Sequence, residues 1–116
     1  MIFYNDFFVP SRFAAITVGF VILIRPKYKD DVGLLEHEKT HVRQFFRHFM
    51  FLYSFRYTFI KSWRLKYEAE AYQEQLKWSK DKAKDFQLFA SFLVEKYRLN
   101  ISHDQACIAL ATPQTK

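Results

Sequence analysis

The scarcity of chain-breaking residues constrains this sequence more than any other feature. Only two glycines and three prolines occur in 116 residues, so few sharp turns are available and long helices are favoured. Half of the residues are hydrophobic and a fifth are aromatic, which argues against disorder and is enough for one modest core. We therefore predict a single domain over residues 1–116, with an α+β fold that is mostly helical.

The segment AAITVGFVILI, residues 14–24, is the predicted sheet. It is rich in β-branched residues and carries Gly19 in its middle. It forms either one strand or two short strands bent about that glycine, and Pro26 ends it. We expect this small β segment, about residues 13–25, to pack on the helices that carry the candidate site.

Four helices are predicted after the sheet. The first begins near Val32, with Asp30 or Asp31 as its N-cap. The aromatic residues 49–63 either continue this helix or form a packed connection, and we interpret the run 45–59 as core rather than as a membrane-binding stripe. The other helices cover about 64–78, about 81–98 and 104–111, the last opened by a capping box of Ser102 and Gln105.

The first helix has one residue that its pattern does not explain. Turning it by about 100° per residue places its charged and apolar side chains on opposite sides, with His37, His41, Gln44 and His48 along one border. Glu38 falls inside the apolar sector, where an unpaired carboxylate costs on the order of a few kcal/mol. The charged side comprises Glu36, Lys39, Arg43 and Arg47, and the apolar side comprises Leu34, Leu35, Val42, Phe45 and Phe49.

Residues 37–41 read HEKTH, an H-E-x-x-H pattern on this helix. The i, i+4 spacing puts both imidazoles on one face, within reach of one tetrahedral metal ion. Glu38 projects beside them, where it can take a proton from metal-bound water. A hydrolytic zinc site also needs a third protein ligand and one open coordination position.

The second long helix offers Glu68 and Glu70 as the third ligand. They lie about 200° apart and cannot both face one metal. Glu70 shares its side with polar residues, which is typical of a solvated face, whereas Glu68 shares its side with apolar residues. One bound dication explains both buried acids and both histidines, so we predict Glu68. The alternative is a metal-free site in which Glu38 and Glu68 pair with Arg12 or Arg64.

This arrangement resembles the gluzincin type of zincin metallopeptidases, which have H-E-x-x-H on one helix and a glutamate on the next. It is most similar to small bacterial and phage metallopeptidase-like proteins that combine A-x-T-x-G, H-E-x-x-H-x-x-Q and E-x-E-A-Y. The matching stretches are AITVG at 15–19, HEKTHVRQ at 37–44 and EAEAY at 68–72. The similarity covers about residues 13–76. We therefore take 13–80 as the motif-bearing part of the domain, and the C-terminal helices at 81–111 match nothing in the family.

The resemblance implies a minimal zincin-like peptidase with one Zn²⁺ per chain, held by His37, His41 and Glu68. It implies that Glu38 is the general base in the hydrolysis of a peptide bond. Tyr72 stands where many gluzincins have an aspartate that orients a ligating histidine. The candidates for supporting or oxyanion-stabilising roles are Tyr72, Tyr67 and Gln44.

The predicted partner is a peptide or protein substrate, and the oligomeric state is left open. The net charge is +6, but the cations are spread along the chain and form no block of the kind that marks a nucleic-acid-binding arm. No specific nucleic-acid partner is predicted, and membrane contact is disfavoured but left open. One alternative is a zincin-like domain with little or no catalysis that acts as an interaction or structural protein. A weaker alternative is a basic domain that acts at nucleic acid or at a membrane face.

The sequence favours the cytoplasm, or the host cytoplasm if a phage encodes the chain. The longest uncharged run, residues 13–24, is shorter than the about 20 residues that span a bilayer. Asp6 precedes this run and Arg25 follows it where a signal peptide would have its cleavage site, so secretion is disfavoured. The lone Cys107 forms no internal disulfide and fits a reducing compartment.

Overall fold

The computed structural model describes residues 1–113, which form a small sheet followed by helices. The strands are β1 (Ile2–Tyr4), β2 (Ala15–Val18) and β3 (Val21–Ile24), and the helices are α1 (Val32–Arg47), α2 (Phe51–Phe59), α3 (Lys61–Leu76), α4 (Lys82–Glu95) and α5 (His103–Ala111). A short 3₁₀ turn, Pro26–Tyr28, joins the sheet to α1. The predicted α+β, mostly helical fold is confirmed.

The sheet has the strand order β1-β3-β2, with β1 parallel and β2 antiparallel to β3. The interpretation of residues 14–24 as two strands is therefore correct. The turn between them is Gly19-Phe20, and Gly19 has a φ of +62°, a left-handed conformation that glycine adopts without strain. β1 was not predicted, because three exposed residues are too few to display an alternating pattern.

Helix α1 begins where the sequence predicted. Asp31 is its N-cap and accepts a hydrogen bond from the backbone N–H of Leu34 at 3.0 Å. The half-buried side chains of α1 pack on a small core on the sheet, which consists of Ala15, Ile22 and Ile24. The fully buried side of α1 is nevertheless its polar one, which comprises His37, Glu38, Thr40, His41 and Gln44.

The predicted apolar face of α1 is therefore only partly correct. Leu34, Leu35 and Val42 do pack against the sheet core, but Phe49 is 76% exposed. His37 and His41 lie inside the protein because α3 packs along that side of α1. Gly33 allows a close approach at one end, since a Cβ there would lie 3.3 Å from Cγ of Gln75 on α3.

The aromatic segment after α1 forms a separate helix, α2. Phe49 and Met50 have positive φ values of 61° and 48°, which break the chain direction after α1, and the extended residue Ile60 separates α2 from α3. The interpretation of the run 45–59 as core is wrong for most of its phenylalanines. The exposed ones are Phe46, Phe49, Phe51, Phe55 and Phe59.

The main apolar core lies among α3, α4 and α5. Its buried residues are Tyr72, Phe89, Ala90, Leu93, Leu99, Ala106 and Leu110. Helix α4 ends at Glu95, earlier than predicted, because Arg98 and Asn100 adopt positive φ values. The capping box of Ser102 and Gln105 that opens α5 is confirmed. Within residues 1–113, every helix is too short or too polar to traverse a bilayer.

We predict that Leu93→Ala lowers the free energy of unfolding by about 2–5 kcal/mol, because Leu93 is fully buried and its loss leaves a cavity. Leu88→Ala on the same helix is the matched control. Leu88 is exposed, so its loss should change stability by less than about 1 kcal/mol. Urea unfolding followed by circular dichroism measures both variants, and equal losses would contradict the described core.

Candidate metal centre

The residues of the H-E-x-x-H motif form a buried group on α1. His37, Glu38 and His41 each offer a ligand atom, and these atoms all lie within 4.8 Å of one another. The exposed fractions of the three residues are only 3%, 4% and 6%. Imidazole and carboxylate groups are the usual nitrogen and oxygen ligands of zinc. This group could therefore hold a metal ion.

Glu68 of α3 lies beside this group. Its Oε1 is 3.3 Å from Nε2 of His37 and 3.2 Å from Nε2 of His41. Its Oε2 accepts a very short hydrogen bond from the hydroxyl of Tyr57 on α2. The predicted inward direction of Glu68 is thus observed, and one carboxylate contacts side chains from two other helices.

The metal-free alternative in which the two acids pair with arginines is not observed. Arg64 donates instead to the backbone carbonyls of Tyr57 and Thr58, each at 3.1 Å. Neither Arg64 nor Arg12 forms an ion pair with Glu38 or Glu68 in the described part of the chain. The buried acids therefore face histidines and hydroxyl groups rather than guanidinium groups.

Gln44 determines which nitrogen of His41 carries the proton. The Nε2 of Gln44 donates to the carbonyl of Tyr67 at 2.9 Å and to Oε1 of Glu70 at 2.7 Å, so Gln44 directs its Oε1 at Nδ1 of His41, 2.9 Å away. An amide oxygen only accepts, so Nδ1 of His41 is the donor. In neutral His41 the lone pair of Nε2 then points at a Glu68 oxygen, another acceptor.

Two states relieve this contact between acceptors. Either Nε2 of His41 is protonated, or a cation lies between Nε2 and the carboxylate. Burial alone lowers the pKa of His41, but the charge and hydrogen bond of Glu68 outweigh it and raise the pKa to about 9. Burial raises the pKa of Glu68, but the two histidines outweigh it and hold that pKa well below its usual value.

Glu38 is held by the sheet. Thr17 of β2 donates from Oγ1 to Oε1 of Glu38 at 2.9 Å, while Oε2 of Glu38 lies 3.7 Å from Nε2 of His37. Thr17 is the threonine of the A-x-T-x-G segment, which sequence reasoning noted without giving it a contact. Pairing of β2 with β3 fixes its position.

Tyr72 does not replace the orienting aspartate through its hydroxyl. Its ring packs edge-on against His37 with the ring centroids 4.3 Å apart, and its hydroxyl bonds to that of Tyr97 at 2.6 Å. Nδ1 of His37 is consequently buried without a hydrogen-bond partner among the described residues. His37 is thus positioned by packing, whereas His41 is positioned by a hydrogen bond.

The other candidates lie around this centre in different ways. The hydroxyl of Tyr67 lies 3.2 Å from Nδ1 of His48, and its backbone carbonyl accepts a hydrogen bond from Gln44. Glu70, predicted on a solvated face, is partly buried and binds Gln44 and Arg47. Sequence reasoning missed Tyr57, because no periodic signal reveals a contact between α2 and α3.

A cleft of about 510 Å³ opens at the centre. Its walls come from β2, from α1, from Tyr53 and Tyr57 on α2, and from the chain after α4. Glu38 and Glu68 are the acidic residues that line it. The lining also includes four cationic residues, which are Arg12, Arg64, Lys96 and Arg98. The centre is therefore accessible to a ligand, and the walls are positively charged.

Neither a scan against models of protein families nor searches of curated proteins and of solved structures found a match to this chain. The resemblance to the gluzincins therefore stays a prediction from the three motifs.

We predict that the metal-free protein, kept in chelator, loses stability as the pH rises from about 7 to about 9. The pKa of His41 in the folded protein is about 9, above its usual 6.5. The protonated ring therefore stabilises the fold fully below about pH 6.5, and this stabilisation is lost as the pH rises through about 9. The loss should be about 1–3 kcal/mol. Unfolding in urea across this pH range measures it.

The control for this prediction is the exposed His103, which bonds to Gln87 far from the centre in sequence. His41→Asn should flatten the dependence between pH 7 and 9, and His103→Asn should leave it as in the parent. A parent protein whose stability is constant over this range would contradict the described pairing of His41 with Glu68.

Proposed function

We propose that this protein is a cytoplasmic zinc-dependent peptidase of minimal gluzincin type. One observation carries the proposal: a single Glu68 oxygen lies 3.3 Å and 3.2 Å from the Nε2 atoms of His37 and His41 at the base of an open cleft. Two ligands about 2.0–2.1 Å from a tetrahedral zinc ion are about 3.3 Å apart. Both distances from the Glu68 oxygen therefore match the spacing of two ligands on one zinc ion.

The hydrogen bonds around His41 support the same assignment. The Oε1 of Gln44 accepts a hydrogen bond from the N–H at Nδ1 of His41, which leaves the Nε2 lone pair for a metal. Glu70 and Tyr67 hold Gln44 in this orientation. Such outer contacts commonly fix the tautomer of a ligating histidine. A purely structural histidine does not need its lone pair directed at a carboxylate.

Three protein ligands leave one coordination position for water. Zinc bound there would lower the pKa of that water and polarise the substrate carbonyl. Glu38 is the proposed general base: it takes the proton of the attacking water and passes it to the nitrogen of the leaving amine. Thr17 holds one oxygen of Glu38, so the other is available for this transfer.

The proposed substrate is an extended peptide bound along the cleft. β2 is an outer strand of the described sheet and lines the cleft, so a peptide can pair with its free side as an added strand. The four cations of the lining favour peptides with acidic side chains or a nearby C-terminal carboxylate. Tyr57 stays protonated, since burial and then the charge of Glu68 raise its pKa, and its hydroxyl donates to Oε2 of Glu68.

The second candidate is a zincin-like domain without catalysis that has a structural or interaction role. The observation in its favour is the contact between Nε2 of His41 and Oε1 of Glu68 at 3.2 Å, which raises the pKa of His41 to about 9. A protonated His41 and an ionised Glu68 neutralise each other. Such a pair would satisfy most of the buried polar groups without a metal. Metal content separates the two candidates.

We predict that the purified protein contains about one zinc per chain and that Glu68→Ala loses it. Glu74→Ala is the matched control, because Glu74 lies on the same helix and its one ion pair within residues 1–113 is with Lys77, at 2.8 Å. Metal analysis and competition with a chromogenic chelator measure stoichiometry and affinity. A parent protein that takes up no zinc at neutral pH would remove the peptidase proposal and leave the structural candidate.

We predict that Glu38→Gln keeps zinc and lowers peptide hydrolysis by a factor of roughly 10² to 10⁴, the usual contribution of a general base. The amide retains the shape of the side chain but cannot take a proton. Turnover is measured on a substrate found by screening a peptide library rich in acidic sequences. Glu36→Gln, which alters an acid paired with Lys39 at 3.4 Å, should retain parental activity, and an active Glu38→Gln variant would refute this mechanism.

A further inference from the structure

Helix α2 has two different sides. Tyr53 and Tyr57 face the cleft, whereas the opposite side projects away from the rest of the fold. Phe51 is 85% exposed and Phe59 is 71% exposed. We call the exposed side the aromatic face. It consists of Phe51, Leu52, Phe55 and Phe59, which fall within an arc of about 100° on a helix.

The aromatic face continues onto the end of α1. Phe46, Phe49 and Met50 are also exposed, and Phe49 and Met50 form the turn that joins the two helices. Both adopt positive φ values, which bulky side chains rarely do. Soluble proteins rarely expose so many large apolar side chains together, and such a patch commonly marks a surface that binds a partner or a membrane.

The same part of the chain carries the positive charge of the protein. Residues 39–67 contain seven lysines and arginines and no aspartate or glutamate. The remainder has 11 cationic and 12 acidic residues, a net charge of −1. The overall charge of +6 therefore comes from this acid-free segment, which includes the whole of α2. Its exposed cations include Arg43, Arg47, Lys61 and Lys66.

We propose that the aromatic face of α2 binds an anionic membrane surface, with the helix lying in the plane of the interface. Phenylalanine and leucine side chains enter the boundary between headgroups and acyl chains, while nearby lysines and arginines bind the anionic headgroups. The segment combines both properties. A helix of nine residues cannot span a bilayer, so the contact is peripheral.

Other occupants fit the surface less well. A second copy of the chain, paired through the same face, would bring two acid-free segments together with seven cations each, and these would repel. Nucleic acid would neutralise the cations, but contact with its phosphates would leave the row of phenylalanines in water. An anionic lipid surface satisfies both the charge and the apolar area.

Membrane binding is independent of the proposed catalysis, since the aromatic face contains none of His37, Glu38, His41 or Glu68. The two sites nevertheless share α2. Its tyrosine side lines the cleft, so a molecule docked through the opposite side would hold the cleft near the membrane surface. A loss of zinc or of hydrolysis would not affect the docking proposal.

The experiment is flotation of the full chain with vesicles of phosphatidylcholine containing about one third phosphatidylserine, against vesicles of phosphatidylcholine alone. We expect binding to the anionic vesicles that weakens as NaCl rises from about 0.05 M to about 0.5 M. The double variant Phe51→Ser/Phe55→Ser should bind these vesicles with an affinity lower by a factor of roughly ten or more. If the parent protein does not bind the anionic vesicles, the membrane proposal is refuted without any variant.

The matched control is Phe7→Ser, since Phe7 is as exposed as Phe51, at 85%, but lies outside the acid-free segment. It should bind as the parent does, and circular dichroism should show that all variants are folded. Equal loss in Phe7→Ser would overturn the proposal. A second result would also overturn it: the parent does not bind vesicles but self-associates or binds duplex DNA, and the double variant loses that property. The aromatic face would then bind a second copy of the chain or nucleic acid.

Discussion

The buried carboxylate of Glu68 is the group on which the arrangement of the helices around the centre depends. Its Oε1 contacts the imidazoles of His37 and His41 on α1, and its Oε2 accepts a hydrogen bond from the hydroxyl of Tyr57 on α2. A carboxylate with only 2% exposure needs compensating charge or hydrogen bonds. This need explains why α1 buries its histidines against α3 and leaves its leucines half-buried against the sheet.

The surroundings of the two histidines differ, and the difference is informative. A chain of contacts from Arg47 through Glu70 and Gln44 fixes the tautomer of His41, so that its Nε2 lone pair faces Glu68. Nothing in the described residues does the same for His37, whose Nδ1 has no partner. This ordered polar network thus places one acceptor, Nε2 of His41, against another, the carboxylate of Glu68. Only a proton or a cation between them makes that contact favourable.

The sequence predicted the features that depend on local periodicity and capping. Helical spacing predicted that Glu68 faces the protein interior, because Leu65, Ala69 and Leu76 share its side. Asp31, as a typical N-cap residue, predicted the start of α1. Contacts between distant segments were out of reach: Thr17 meets Glu38 across 21 positions, and Tyr57 meets Glu68 through a turn that no local signal marks. The break after α1 was also hidden, since Phe49 and Met50 adopt positive φ without a glycine.

The exposed phenylalanines of α2 follow from how this helix is attached. An amphipathic helix ordinarily packs through its apolar side, but α2 is attached through its tyrosines: Tyr53 lies with its ring centroid 4.6 Å from that of Tyr67, and Tyr57 bonds to Glu68. Arg64 adds two hydrogen bonds to carbonyls at the end of α2. Because Tyr53 and Tyr57 occupy the inner side of α2, its phenylalanines lie on the outer side and are exposed. The composition of one short helix therefore accounts for both a polar cleft wall and an apolar outer surface.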